Sequence, residues 1–336
     1  MKGRKYWKSG LGAVIAVAAG LALWSGSGAA PVASDEVARY PNKPVKIIVP
    51  VSAGGSADKL ARTIAQRLGE KWHQSVVVEN QPGASSAIGN AAVAHARPDG
   101  YTLLLSGDAL SLNALQPQRA YDPQRDLVGV TKAVTNPQLL VVRPGLGVKT
   151  FQEFAELVKK KPGEVTLALP GGTGSLQHLA VELLNERIGA KTNQIPYPGG
   201  GPASLDLLGG HVDAMLITLA AATENVRSGK LVALAVTTSY RSKALPDVPT
   251  LQEAGLPDYV VESWQGLSAP AGTPRPLVER INRDVVAVLR EPETASLLEN
   301  LGFTLAATPP QDVDRTVAED IATYRRVLAS AGVDLK

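Results

Sequence analysis

A glycine turn that leads directly into a helix is the first feature of this chain whose residue types suggest binding chemistry. Residues 52–55 (SAGG) lie between the β-branched run 47–49 and a pattern with an apolar residue at every fourth position, from Leu60 to Leu68. A helix that begins just after a strand leaves its first N–H groups unpaired, and its positive dipole end can receive carboxylate or phosphate. Ser56 is the predicted N-cap, and Asp58 lies in the first turn. Taken alone, the turn also fits an ordinary strand–helix connection without a ligand.

A second glycine turn repeats this arrangement in the C-terminal half. Residues 170–175 (PGGTGS) separate a predicted strand at 165–169 from a predicted helix at 176–188. The two stretches are not a sequence repeat, but each offers glycine backbone and a helix N-terminus. Two such turns facing each other would hold an anionic group from both sides.

Catalytic chemistry has weaker support. Ser175 and His178 share a helix face and form a candidate nucleophile and base, but no third, orienting group can be identified. Alternatively, both side chains hold the loop or hydrogen-bond a ligand. Neither glycine turn has the Lys-Ser/Thr of a P-loop, residues 172–177 lack the last glycine of a dinucleotide fingerprint, and no G-x-S-x-G elbow occurs. The absence of cysteine excludes disulfides and thiolate chemistry, and four scattered histidines give little support for a metal site.

The elements that must position the first turn follow a βαβαβ order. Strands are predicted near 46–49, 75–79 and 101–105, with helices at 56–68 and 88–96 between them. This order predicts a parallel sheet with helices on both faces. Ligands collect at the carboxyl ends of such strands, where the 52–55 turn and a predicted polar loop at 106–113 lie.

The rest of the chain continues the alternation and then becomes helical. Further strands are predicted at 128–134, 139–142, 193–197, 212–216 and 231–237, further helices at 151–160, 203–208, 276–290, 292–301 and 310–331, and crossovers at 143–147 and 260–270. The last three helices are expected to pack on the first half. Lysines 159–161 are interpreted as a solvated helix end and not as a nucleic-acid patch.

The N-terminus has the features of a secretory signal. Four basic residues precede an apolar run at 11–24 and a small-residue stretch that ends at Ala30, which predicts cleavage near that position and export to the periplasm. The run is shorter than the roughly 20 residues of a spanning helix, so a retained anchor is the weaker alternative. Without residues 1–30 the chain has 30 basic and 31 acidic residues, a net charge of −1 instead of +3. The remaining 306 residues suffice for two domains, and nucleic acid is not an expected partner.

Several stretches, in this order, resemble one known family. They are YPNKPVKIIVPVSAGGSADKLAR, VVVENQPGASSAIGN, ARPDGYTLLL, YDPQRDL, GGTGSLQHLA, PYPGGGPASLDLLGGHVD, LVALAVTTSYRSKALPDVPTLQEAG and SWQGLSAPAGTP. The chain resembles the Bug (TctC-like) periplasmic solute-binding proteins of tripartite tricarboxylate transporters. The resemblance implies an α/β, type II binding-protein fold. Lobe 1 (40–142 with 265–336) and lobe 2 (143–264) would be joined by two crossover strands, with the ligand cleft between them and without enzymatic activity.

The resemblance also implies which residues bind the ligand. In that family the two glycine loops hold a ligand carboxylate, largely through backbone N–H groups and ordered water. The implied positions are Ser52, Ala53, Gly54, Gly55, Asp58, Ser106, Asn113, Gly171, Gly172, Thr173, Gly174, Ser175, His178 and Thr218. No catalytic residue, metal or cofactor is implied.

The chain departs from the family pattern at four places. Val51 replaces the usual aromatic, Ala53 the usual proline and Gly171 the usual serine, and Ile217-Thr218 stand where Asp-Asn or Asp-Ser is frequent. These differences predict a changed pocket on a retained fold.

The sequence therefore predicts a monomeric periplasmic receptor that captures a small organic acid and delivers it to a membrane permease. The alternatives are a sensor with the same fold that docks to a histidine-kinase ectodomain, and a periplasmic serine hydrolase that uses Ser175 and His178.

Overall fold

The computed structural model describes residues 37–117 and 119–331, and its scaffold is a ten-stranded mixed sheet. The strands are β1 (Val45–Val49), β2 (Val76–Asn80), β3 (Thr102–Gly107), β4 (Leu127–Val142), β5 (Thr166–Pro170), β6 (Asn193–Tyr197), β7 (Ala214–Thr218), β8 (Val232–Val236), β9 (Glu262–Pro270) and β10 (Thr304–Leu305). Their order is β2-β1-β3-β9-β4-β7-β5-β6, and β8 and β10 also pair with β4.

Ten α-helices cover this sheet within the described residues. They are α1 (Ser56–Trp72), α2 (Ala87–Ala94), α3 (Ala109–Asn113), α4 (Phe151–Lys160), α5 (Leu176–Ile188), α6 (Gly200–Gly209), α7 (Leu219–Arg227), α8 (Arg275–Leu289), α9 (Pro292–Leu301) and α10 (Gln311–Ala331). In the described part of the chain, no helix combines the length and apolarity that a membrane crossing requires. The predicted signal peptide at 1–30 lies outside the described residues.

The first half of the sheet confirms the predicted βαβαβ order. β1 pairs in parallel with both β2 and β3. Leu60, Ile64 and Leu68 of α1 are fully buried and join the β1 side chains Ile47 and Val49 in one core. The apolar period of four therefore places the N-terminus of α1 at the carboxyl end of β1.

Two long strands connect the halves. β4 pairs antiparallel with β9 from Leu127 to Pro137, and then with β7 from Gln138 to Val142. Two separate strands were predicted here, which is wrong. Pro137 is tolerated because it lies where the pairing of β4 passes from β9 to β7, so its missing N–H interrupts neither ladder. The crossover predicted at 143–147 is also wrong, because a 3₁₀ turn at Pro144–Leu146 follows β4.

The second half repeats the parallel arrangement, with β5 between β6 and β7. α4 has its predicted bounds because Thr150 and Glu153 form a capping box. The three C-terminal helices pack on the first half as predicted, since Leu277 of α8 and Leu298 of α9 join the core around β1, and Val313 of α10 packs in a cluster with Ile48.

Three local predictions near the strand ends were wrong. Ser56 is the first residue of α1 and not its N-cap, which is Gly55 without a side-chain cap. Residues 106–113 do not form a loop, because β3 continues through Gly107 and α3 follows at once. α7 was not predicted, and it begins directly after Thr218.

Candidate functional site

A cavity of about 130 Å³ lies between the two halves, at the carboxyl ends of the parallel strands. Val51 follows β1, Gly107 ends β3, Pro170 ends β5 and Thr218 ends β7, and all four line the cavity. The cavity therefore lies at the carboxyl ends of the strands, where the sequence predicts that the ligand binds.

The short α3 begins at this cavity, at Asp108 and Ala109, and five longer helices also have their N-termini here. Each contributes lining residues from its first turn or from the turn before it: Gly55, Ser56 and Ala57 for α1; Ser85 and Ser86 for α2; Ser175, Leu176 and Gln177 for α5; Gly199 and Gly200 for α6; and Thr218 for α7. The unpaired N–H groups and positive dipole ends of these helices favour an anion. Of the described residues that line the cavity, none is a lysine, arginine or histidine.

Ser56 joins the two halves inside the cavity. Its Oγ accepts hydrogen bonds from Thr218 Oγ1 at 2.7 Å and from Gln265 Nε2 at 2.8 Å. Because both lone pairs are occupied, the Ser56 hydroxyl proton is free to donate to a ligand. The predicted cap is thus a lining residue that connects α1, β7 and β9.

Asp58 stabilises the first glycine turn through hydrogen bonds to its carboxylate. Its carboxylate accepts from Gly54 N at 3.1 Å, from Arg62 Nε at 3.0 Å and from Asn80 Nδ2 at 3.1 Å. Burial alone would raise the pKa of Asp58, but these hydrogen bonds outweigh it and lower the pKa. Asp58 does not line the cavity, and its contacts stabilise the turn.

The first glycine turn packs against a third glycine-rich segment, residues 198–202 (PGGGP), where α6 begins. A Cβ built on Gly201 would lie 2.0 Å from the carbonyl oxygen of Ala53, and one on Gly199 would lie 2.9 Å from Ser52 N. Ser52 N donates to Pro198 O at 3.3 Å. Only residues without a side chain allow this approach of the two halves.

The second glycine turn, at residues 171–175, contacts a different segment of the chain. Ser85 Oγ donates to Thr173 O at 2.5 Å, so the loop at 171–175 faces the turn before α2. Gly55 of the first turn and Gly171 of the second line the same cavity. Both turns therefore border the cavity from opposite halves, but their direct contacts are with other loops.

The contacts of Ser175 and His178 are those of a helix cap. Ser175 Oγ accepts from the backbone N–H of His178 at 3.2 Å, and His178 Nδ1 accepts from Gly174 N at 3.1 Å. The other ring nitrogen of His178 lies 3.7 Å from Glu182 Oε1. Burial lowers the pKa of His178 although Glu182 opposes the shift. The arrangement lacks the hydrogen bond from a serine hydroxyl to an imidazole that activates a nucleophile.

The predicted site residues divide into two groups. Five line the cavity: Gly55, Ser106, Gly171, Ser175 and Thr218. Gly172 lines an adjoining cavity with Val51 and Tyr197. The others do not line the central cavity: Ser52, Ala53, Gly54, Asp58, Asn113, Thr173, Gly174 and His178. Asn113, for example, holds the turn before α2 through a hydrogen bond from its Nδ2 to Ser85 O at 3.2 Å.

Sequence reasoning missed several lining residues. These are Ser85, Ser86, Gly199, Gly200, Ser263, Trp264 and Gln265, together with the contact role of Ser56. Asp108 lies within the predicted polar loop at 106–113 but was not singled out. The glycine run at 199–201 was a usable signal, because three consecutive glycines before a helix permit close backbone approach. Ser263 and Gln265 gave no local signal, since they lie on a crossing strand remote in sequence from either turn.

Asp108 is the one lining residue, among those described, that carries an ionisable side chain. Its Oδ2 accepts from Ser263 Oγ at 2.5 Å and its Oδ1 from Trp264 N at 3.1 Å. Burial is the main cause that raises the pKa of Asp108 to about 7; the hydrogen bond from Ser263 opposes this shift, and nearby Asp320 contributes to it. No group of three or more potential metal ligands occurs within residues 37–117 and 119–331.

Comparison with known proteins gives consistent matches. Residues 60–333 match the model of the tripartite tricarboxylate transporter family receptor. The chain is 38% identical to Protein BugT of Bordetella pertussis over 311 residues, which cover 92% of this chain and 94% of BugT.

Solved structures agree with this match. The periplasmic binding protein BugD is 34% identical with a TM-score of 0.84, over 88% of this chain and 99% of BugD. An R. palustris protein, solved with adipate, is 33% identical with a TM-score of 0.84, over 88% of this chain and 99% of its own.

Proposed function

Because the chain belongs to the tripartite tricarboxylate transporter receptor family, we propose that it captures a small organic carboxylate for a transporter of that class. Its fold is that of the type II periplasmic binding proteins, two α/β lobes joined by two crossing strands. The related R. palustris structure contains adipate, a carboxylate, which supports the ligand class.

The convergence of five helix N-termini on a cavity without cationic side chains is the observation that carries this proposal. A carboxylate needs several N–H or O–H donors and a positive potential, and helix N-termini provide both. The Ser56 hydroxyl adds a donor whose lone pairs are already occupied. Phosphate would fit the same electrostatics, but this cavity of about 130 Å³ also has apolar walls such as Val51, Ile217 and Trp264, which suit the carbon skeleton of an organic acid.

We further propose that the predicted ligand-binding residues act in two ways. Gly55, Ser106, Gly171, Ser175 and Thr218 contact the ligand or its ordered water. The remaining predicted residues hold the glycine turns in shape, as the contacts of Asp58 and His178 suggest. Capture would bring the lobes at 40–142 with 265–336 and at 143–264 together, and would exchange water for fixed donors.

The proposed setting is the periplasm, reached through a cleaved signal peptide, with a membrane permease as the receiving partner. The protein is proposed to be a monomer without enzymatic activity. The cap contacts of Ser175 and His178 support a binding role over hydrolysis.

Thermal unfolding with a panel of carboxylates tests this function. A bound acid raises the melting temperature in proportion to RT ln(1 + [L]/Kd), whereas the corresponding diamide, such as adipamide beside adipate, leaves it unchanged. If no acid shifts the melting temperature while the protein is folded, the proposal is wrong.

A substitution at Ser56 tests whether the ligand binds in this cavity. Ser56→Ala removes one donor to the ligand, so we expect the Kd of the acid identified by that panel to rise about tenfold, as loss of a hydrogen bond to a charged group predicts. Ser296→Ala, at an exposed position of α9 that does not line the cavity, is the matched control and should leave the Kd unchanged.

A further inference from the structure

The cavity has one wall that the carboxylate proposal does not explain. Asp108 is buried there, and it is a poor neighbour for an anion. The wall is built from two paired strands, since Ser106 and Gly107 of β3 face Gly266 and Gln265 of β9 in the sheet register. Asp108 follows immediately after β3, so this acidic group belongs to the β3–β9 wall.

The protein contacts of Asp108 leave room for a further partner. Within the described residues, Oδ1 accepts from Trp264 N and Oδ2 from Ser263 Oγ, and the backbone N–H of Asp108 itself also donates to the carboxylate. The two carboxylate oxygens together offer about four acceptor sites, so at least one lone pair remains unused. Asp108 is thus fixed in orientation without being saturated.

Two further polar atoms of the same wall are unpartnered. Ser106 Oγ and Gln265 Oε1 are buried and have no hydrogen-bond partner within residues 37–117 and 119–331. Ser106 is 2% exposed, Gln265 is 8% exposed, and both line the cavity. Buried polar groups are rarely left unpaired, which indicates that this wall receives a polar ligand group.

We propose that Asp108 is the specificity-determining residue of this cleft. It selects an acid whose second polar group is a hydrogen-bond donor, against an acid of the same size with a second carboxylate. This inference rests on the proposed function, because it assumes that a first carboxylate occupies the helix N-termini. Asp108 and Gln265 Oε1 are both acceptors, so together they complement an amide, amine or hydroxyl group of the ligand.

Groups on neighbouring elements reinforce this selection. Asp320 and Tyr324 of α10 lie near Asp108, and Asp320 accepts from Trp264 Nε1 at 2.8 Å. Lys132 favours the ionised form of Asp320, and Glu319 opposes it. The nearby carboxyl groups make an additional anion unfavourable, and a second carboxylate would bind only when Asp108 takes up a proton.

The pH range of this coupling follows from the pKa of about 7 for Asp108. Below that pH the carboxyl group is neutral and can donate its proton to a second carboxylate. Above it the group is charged, and the affinity for a dianion should fall up to tenfold per pH unit. An acid with a neutral donor group should not show this fall.

Succinate and succinamate are the probes that test this, because they have nearly the same shape and differ by one charge. Titration calorimetry at about pH 8.5 should give a Kd at least tenfold lower for succinamate than for succinate with the wild-type protein. At about pH 6.5, where succinate is still mainly a dianion, the difference should shrink. Asp108→Asn should remove most of the discrimination and the pH dependence of succinate binding.

The outcomes separate the two proposals. If neither probe nor any acid of the wider panel binds, the function and this inference are both wrong. If acids bind but the wild-type protein prefers succinate at about pH 8.5, or its succinate affinity does not change with pH, only the inference is wrong. The wild-type pH series needs no variant, so the inference remains testable if Asp108→Asn does not fold.

Discussion

Replacing Gly201 with alanine should prevent the two halves from making their closest contact. The new Cβ would lie 2.0 Å from the carbonyl oxygen of Ala53, whereas ordinary contact begins at 3.4 Å. The two atoms must therefore separate by about 1.4 Å. That movement would stretch the hydrogen bond from Ser52 N to Pro198 O, which is already 3.3 Å long.

The cost is that of an overpacked site, about 1–3 kcal/mol, which corresponds to a roughly 5- to 150-fold higher Kd. The cost applies only when the halves meet. Gly201 lies in α6 without a positive φ, and alanine favours a helix over glycine, so the unliganded protein should be as stable as the wild type or slightly more stable. Weaker binding together with unchanged or higher stability is the expected signature.

Two other glycines complete the experiment. Gly200→Ala should weaken binding less, since its Cβ would be 3.2 Å from the terminal Cδ1 of Ile217, a side-chain end that can move. Gly69→Ala in α1 is the control, because its Cβ would only touch Gln74 O at 3.4 Å. Calorimetric Kd values and urea unfolding without ligand are the measurements. A Gly201→Ala protein that binds as tightly as the Gly69→Ala protein would refute the closure argument.

Three further predictions concern stability. Asp58→Ala should lower the free energy of unfolding in urea by about 1–3 kcal/mol, since Gly54 N loses its acceptor. Arg62→Ala, which removes the exposed ionic partner of Asp58, should lower the free energy of unfolding by less than Asp58→Ala does. Equal losses in the two variants would contradict the argument that Asp58 stabilises the glycine turn. Because the folded protein holds the Asp108 proton more tightly than the unfolded chain, the contribution of Asp108 to stability should be largest below the ordinary aspartate pKa of 3.8 and should fall as the pH rises to about 7. The loss should approach roughly 4 kcal/mol, and Asp108→Asn should flatten this part of the pH profile of urea unfolding. Thr150→Ala should cost about 1 kcal/mol of unfolding free energy through the capping box, and Thr150→Ser should restore most of it; no loss in the alanine variant would show that the cap is not stabilising.

The alternation of apolar runs and glycine turns determined the layer architecture. Residues 47–49 and 165–169 were predicted as buried strands, and the helices after them begin where the turns end. These features are local, because the helical period of 3.6 residues, the strand period of 2 residues and a helix cap each depend on residues that are close together in the sequence. The local signal failed between 134 and 139, where two separate strands were predicted and the change of pairing partner in β4 after Pro137 allowed one continuous strand.

The sequence by itself determined that glycine turns precede helices at the ends of strands, and hence that an anion site was to be sought there. Only the tertiary structure decided which turns meet. Gly54 and Gly55 lie against Gly200 and Gly201 at the start of α6, about 145 residues away along the chain. It also decided that Asp108, Ser263 and Gln265 share one wall, through the pairing of β3 with β9. The physical reason is that strand pairing between distant segments depends on the packing of the whole sheet, which no spacing of residues along the chain records.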